Sequence, residues 1–197
     1  MSKAKRMSKL EENPEKVSKK VIVITASPRA GGNSDRLAEA FMEGARSAGN
    51  TVEKLELRPL RIEPCVACDK CWSSGKPCII GDGMDSVYQA IDSNEVIVFS
   101  MPLYYYSIPA KLKAVIDRLY ALYTKGYPKR QAVVLVAAGD TAPDTFNAVD
   151  VSWRKILSYL GWPLLGTVYA GNVNDYGAIE KTDYPSAARR LGASIHV

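Results

Sequence analysis

Histidine is almost missing from this 197-residue chain: one is present, His196, next to the end. That excludes a histidine-based catalytic triad or zinc site. Cysteine is absent outside one window of fourteen residues, Cys65 to Cys78. No apolar run approaches the roughly 20 residues a membrane helix needs, and no apolar core of a secretory signal follows the basic start. The chain has no internal repeat and no Pro/Gly/Ser linker, so one domain is expected. It lacks G-x-x-x-x-G-K-[ST], which removes a P-loop. It also lacks G-x-G-x-x-G, and Arg58 stands beyond the second expected strand where a dinucleotide ribose would need an acid.

What is present is ordinary globular composition, 47% apolar and 24% charged. The net charge of +5 suggests nucleic acid, but its distribution argues against that. Seven of the 26 basic residues and three of the 21 acidic ones lie in the first twenty positions. The remaining 19 and 18 nearly cancel, so the excess belongs to a polar tail. The expected organisation is a disordered basic tail over residues 1–19 and a domain over 20–197. A cytoplasmic protein with no nucleic-acid or membrane partner follows.

Short apolar runs alternate with amphipathic stretches. Lys20–Thr25 is β-branched and apolar throughout, the pattern of a strand buried on both faces. Further strands are expected over 51–57, 95–100, 132–137 and 164–170. Helices are expected over 34–48, where Gly49 is the stop, and over 84–91, 111–120, 144–160 and 185–195. Such alternation implies parallel pairing with right-handed crossovers. Five units suit an α/β three-layer sandwich of flavodoxin-like order, 2-1-3-4-5, with a ligand at the carboxyl ends of strands one and three.

Strand one leads into Ser27-Pro28-Arg29-Ala30-Gly31-Gly32-Asn33-Ser34. Hydroxyls, an amide and an arginine there meet the unpaired N–H groups of a helix amino terminus, which is what an anion needs. Simple helix capping by Asn33 or Ser34 would explain one residue of eight. A phosphatase of this topology would need cysteine where Ser27 stands, so a mononucleotide phosphate is left. After strand three, Met101-Pro102-Leu103-Tyr104-Tyr105-Tyr106-Ser107-Ile108-Pro109-Ala110 forms a stiff aromatic rim suited to an isoalloxazine ring. Gly139-Asp140, after strand four, is a third loop at the same edge and a weaker candidate for backbone contacts.

These segments resemble the NADPH-dependent FMN reductase family. The likeness rests on Ser27-Pro28-Arg29 with Gly32-Asn33-Ser34, and on Pro102-Leu103-Tyr104-Tyr105 running into Pro109-Ala110-Lys111-Leu112-Lys113 and Ile116-Asp117-Arg118. Ala26 stands where that family usually has glycine. The resemblance implies a flavodoxin-like fold and electron flow from NAD(P)H through bound FMN to a flavin, quinone or other small acceptor. It assigns Ser27, Arg29, Asn33 and Ser34 to the phosphate and Pro102 to Tyr105 to the ring. Hydride transfer by stacking requires no acid–base side chain, so none is named.

Cys65-x2-Cys68-x2-Cys71-x6-Cys78 has spacing close to that of iron–sulfur cubane sites, with zinc a poorer match. Free thiols or a Cys71–Cys78 pair are also open on spacing. The segment also resembles the iron–sulfur flavoproteins, a branch of the same fold, which implies a [4Fe–4S] cluster exchanging single electrons with the flavin and with ferredoxin. Those relatives often follow the last cysteine with two acids; Gly81-Asp82-Gly83 has one, which bears on the next helix cap. A flavodoxin-type carrier is disfavoured by the neutral body. The tyrosine rim and cysteine loop suggest a homodimer or homotetramer.

Overall fold

In the computed structural model, residues 18–74 and 77–195 are described. The expected tail falls outside them except for Ser18 and Lys19, and so do Gly75, Lys76 and His196. Lys19 is already bound to the domain. Its amide donates to Asn50 Oδ1 at 3.0 Å and its ammonium to Gln131 Oε1 at 2.7 Å.

Five parallel strands form one sheet: β1 (Lys20–Thr25), β2 (Thr51–Glu56), β3 (Val96–Pro102), β4 (Gln131–Ala137) and β5 (Leu164–Ala170). Their order is β2-β1-β3-β4-β5, as the alternation of elements predicts. β1, β3 and β4 are buried on both faces, which explains their unbroken apolar runs. The helices are α1 (Asn33–Ser47), α2 (Met84–Ser93), α3 (Ala110–Arg118), α4 (Asn147–Leu160) and α5 (Tyr184–Ala193). One face of the sheet packs Val21, Val23, Val98 and Leu135 against Leu37, Phe41 and Ala188 of α1 and α5. The other packs Ile22, Ile24, Phe99 and Val134 against Val87, Leu112 and Trp153 of α2, α3 and α4. No described helix is long and apolar enough to cross a membrane.

Several boundaries shift; the helix expected over 144–160 begins only at Asn147. The apolar stripe over 111–120 predicts one helix, but α3 stops at Arg118 and a 3-10 helix continues from Leu119 to Lys125. The Arg118 carbonyl accepts the Tyr88 hydroxyl at 2.7 Å, a bond that competes with the α-helical one from residue 122. The last helix starts one residue early, at Tyr184, and ends at Ala193.

α1 and α5 cross where both lack side chains. A methyl at Gly44 would overlap the Arg189 carbonyl, and one at Gly192 would overlap that of Phe41. Backbone cannot retreat as a side-chain tip can, so overpacking should be severe here. We expect Gly44→Ala to cost about 2 kcal/mol or more. The thermal midpoint should drop by about 4–8 °C, checked by circular dichroism.

The Cys65–Cys78 segment leaves the body between β2 and α2, and a buried ion pair closes its base. Arg118 Nη1 lies 2.6 Å from Asp82 Oδ2, with 1% and 4% of the two side chains exposed. Arg118 also donates to the carbonyls of Glu63 (3.1 Å) and Ile80 (3.0 Å), on either side of the segment. Asp82 accepts from the amides of Glu63 (2.8 Å) and Met84 (3.0 Å). Burial alone would push the Asp82 carboxyl up. The Arg118 guanidinium and the two amides outweigh it and hold the group below the usual carboxylate range. A depressed folded value gives stability that is present above the unfolded pKa of about 3.9 and lost as pH falls below it. Asp82→Asn should therefore flatten the acid limb of a urea-midpoint-against-pH curve. Arg118→Met, which strands the charge, should cost about 3–5 kcal/mol at neutral pH.

Candidate cofactor site

The carboxyl edge of the sheet carries a cleft of about 270 Å³ between the ends of β1, β3 and β4. Its polar end is the first loop. The Ala26 amide donates to the Ser100 carbonyl at 2.9 Å, so the loop departs from a fixed point on β3. Ser27 Oγ accepts the Arg29 amide (3.1 Å) and donates to the Arg29 carbonyl (2.8 Å), which folds the loop over. Gly31 takes φ +64, a left-handed turn that a side chain would strain. Its amide donates to Asp35 Oδ2 at 3.0 Å. Burial raises the Asp35 pKa, while Lys54 and the Gly31 amide pull the other way without cancelling it.

α1 begins after Gly32 with no side-chain cap. The first-turn N–H groups therefore remain open toward the cleft, with the positive end of the helix dipole behind them. Simple capping by Asn33 or Ser34 does not occur. The buried Ser34 lines the cleft, and its carbonyl accepts Ser100 Oγ at 2.7 Å. Arg29 lines the same end from an exposed position. Ser27, Arg29, Gly32, Asn33 and Ser34 thus meet at one place. Asn33 has a different task from the expected one: Nδ2 donates to the carbonyls of Val173 (2.7 Å) and Asp175 (2.8 Å), and Oδ1 accepts the Ile179 amide (3.3 Å). Its side chain grips another loop and leaves only its main chain for an anion.

The apolar end is walled by Pro102, Leu103 and Tyr104 on one side and Ala137 to Gly139 on the other. The Leu103 amide is tied to the Ala137 carbonyl at 2.8 Å, which fixes this mouth. Tyr105 stands apart. It has φ +47 and is 99% exposed, at the tip of a turn closed by Tyr104 and Ser107. With Asp140 and Tyr106 it lines a shallower neighbouring depression that shares Leu103 and Gly139 with the cleft. The Ala142 amide, then the Thr145 hydroxyl and the Thr141 amide, hold the Asp140 carboxyl below its ordinary range, so this side chain orders its own loop.

The donor set fits a phosphorylated, flat aromatic ligand. Open helix N–H groups, a serine hydroxyl and an arginine face one end, and a Pro-Leu-Tyr wall faces the other. The volume is near the lower bound of roughly 300–1,000 Å³ for small-molecule pockets.

Cys65, Cys68, Cys71 and Cys78 all line a second, apolar cavity of about 390 Å³, whose walls include Ile79, Ile80, Arg118 and Tyr120. All four are free thiols, so the Cys71–Cys78 pair is not formed. Ala67 and Asp69, between them, take φ +50 and +53, conformations that bend the chain tightly at a cost for side-chain-bearing residues. Burial pushes the Cys71 thiol up, and neighbouring Cys78 and Cys68 add to it. As placed, no three Cys, His, Asp or Glu side chains among the described residues stand close enough to hold a metal ion.

Sequence reasoning missed three groups. Val173, Asn174 and Tyr176 line the cleft from the loop after β5. Their signal was available, because that loop leaves the same carboxyl edge as the others. The pairing of Arg118 with Asp82 had none, since the two lie 36 residues apart, while Asp35 lies just beyond the first loop with its partner Gly31 only 4 residues away.

A family model described as NADPH-dependent FMN reductase matches residues 19–175. An iron–sulfur flavoprotein of Archaeoglobus fulgidus is 29% identical over 100 residues, 51% of this chain and 45% of that one. The chain thus spans about half the length of such curated relatives. An FMN-dependent NADH:quinone oxidoreductase of Pseudoalteromonas atlantica is 27% identical over 198 residues, 88% of this chain and 96% of its own. The solved NAD(P)H:quinone oxidoreductase from Methanothermobacter marburgensis superposes with a TM-score of 0.73 at 25% identity, covering 91% of this chain and all of that one. With a five-stranded 2-1-3-4-5 sheet and a family match that runs through both walls of the cleft, the chain belongs to the NADPH-dependent FMN reductase family.

Proposed function

We propose that the protein is an FMN-dependent NAD(P)H oxidoreductase that passes electrons to a flavin, quinone or other small acceptor. The observation that carries this is the cleft itself: an uncapped helix terminus with Ser34 and Arg29 at one end, and the Pro102–Tyr104 wall at the other. Bound FMN would supply the redox chemistry, accepting hydride from a nicotinamide and releasing electrons singly or in pairs. The protein's part is to bind and orient. The α1 terminus and Arg29 neutralise the phosphate. Pro102, Leu103 and Tyr104 would shield the ring from water, and the Ala137–Gly139 backbone would border it from the neighbouring loop. The openness of the adjoining Tyr105–Asp140 depression suits a second planar reactant entering next to the first.

A second reading is favoured by the cysteine cavity. Four thiols around one apolar space beside a buried arginine suit an anionic [4Fe–4S] cluster exchanging single electrons with ferredoxin. The sulfurs would have to draw together on it. Self-association as a homodimer or homotetramer is supported by an exposed aromatic belt next to this cavity. There Trp72 lies 5.6 Å from Tyr120 and 5.4 Å from Tyr123 between ring centres.

An anaerobic absorbance spectrum of the FMN-treated, desalted protein tests both readings. The first expects two resolved flavin bands that bleach on adding NADPH or NADH. Absence of flavin bands contradicts it. A broad absorbance underlying the bands, lost when Cys68 and Cys71 are changed to serine, together with no bleaching by either nicotinamide, would favour the second.

A further inference from the structure

We infer that Tyr176, held by Asn33 across the crown of the first loop, makes the cleft accept a terminal phosphate and so select FMN over FAD; this rests on the flavin reading above. The segment after β5 doubles back through Asn172, at φ +58. Three hydrogen bonds to Asn33, from Val173 to Ile179, then pin it to the start of α1. Between those anchors Tyr176 reaches the first loop, where its hydroxyl donates to the Ala30 carbonyl at 3.3 Å. The Arg36 guanidinium lies 5.2 Å from the ring centre, while Arg36 Nε donates to the Gly31 carbonyl at 2.9 Å and its other end pairs with Glu180.

The fit requires the missing side chain at Gly31. A methyl there would stand 2.6 Å from the Tyr176 hydroxyl oxygen. Tyr176 nevertheless lines the same cleft as Ser27, Arg29 and Ser34. Tyr176 is 62% exposed, so no core packing explains its position; its contacts with Ala30 and Arg36 do. Tyr176 stands at the phosphate end of the cleft, on a segment that Asn33 ties to α1. A phosphate monoester seated on the α1 terminus would stop short of this ring, whereas a diphosphate carrying adenosine would have to extend past it. Discrimination of this kind comes from obstructing the wrong ligand rather than from a better contact to the right one.

The test is titration of the flavin-free, full-length protein with FMN and with FAD, followed by flavin fluorescence, for the wild type, Tyr176→Phe, Tyr176→Ala and Tyr176→Leu. The wild type should prefer FMN by tenfold or more. Tyr176→Ala and Tyr176→Leu should narrow that ratio about tenfold, by tighter FAD binding, and Tyr176→Phe should keep it because the ring remains. A ratio unchanged in the alanine and leucine variants overturns the inference. So does weaker FMN binding with FAD unaltered, which would make Tyr176 a phosphate contact instead of a stop. A wild type that binds FAD as well as FMN removes the selectivity to be explained. Binding of neither flavin overturns the flavin reading and this inference with it.

Discussion

Ser100 is the joint on which the candidate site depends. Fully buried at the end of β3, it accepts the Ala26 amide with its carbonyl and donates its hydroxyl to the Ser34 carbonyl at the start of α1. One residue therefore fixes where the first loop leaves β1 and where it re-enters a helix. The parallel sheet makes this possible, because only parallel neighbours bring the carboxyl ends of β1 and β3 to the same edge. The polar half of the cleft hangs from that joint. The apolar half hangs from the next pairing along, Leu103 on Ala137.

The architecture was legible because its signals are local. Strands buried on both faces must be apolar at every position, and amphipathic helices must repeat their apolar face, so β1, β3, β4 and α1 stand out from periodicity alone. The two walls of the cleft were legible for a related reason: open backbone donors call for glycine and small polar residues, and an aromatic ligand calls for a rigid apolar rim. The roles within those walls were less so. Asn33 stands in the first loop's sequence, yet its amide serves a segment some 140 residues away. Tyr105 belongs to the tyrosine run, yet the left-handed turn at Tyr105 and Tyr106 swings it out of the cleft. Spacing reports which residues share a loop; the direction of each side chain is decided by long-range partners.

The cysteine segment shows a different balance. Its spacing leaves an iron–sulfur site, zinc, free thiols or a Cys71–Cys78 pair open; the fold brings all four thiols to one cavity, but not, among the described residues as placed, close enough to hold a metal ion. The scaffold around them is charged and buried, with the Arg118–Asp82 pair joining both ends of the segment to α3. A buried ion pair is costly to desolvate and is seldom the cheapest way to add stability. Its value here is positional, since it ties Glu63, Ile80 and α3 at one point and sets the base from which the cysteines extend.

On the proposed reading, the α1 terminus, Ser34 and Arg29 form a phosphate site that anchors a flavin in the cleft. The most direct measurement is calorimetric titration of the flavin-free protein with FMN and with riboflavin, which differ only by the phosphate. FMN should bind at least a hundredfold tighter, about 2.7 kcal/mol, with most of that margin lost in Arg29→Ala/Ser34→Ala. Equal affinity for the two ligands, or a margin untouched by the double substitution, would contradict it.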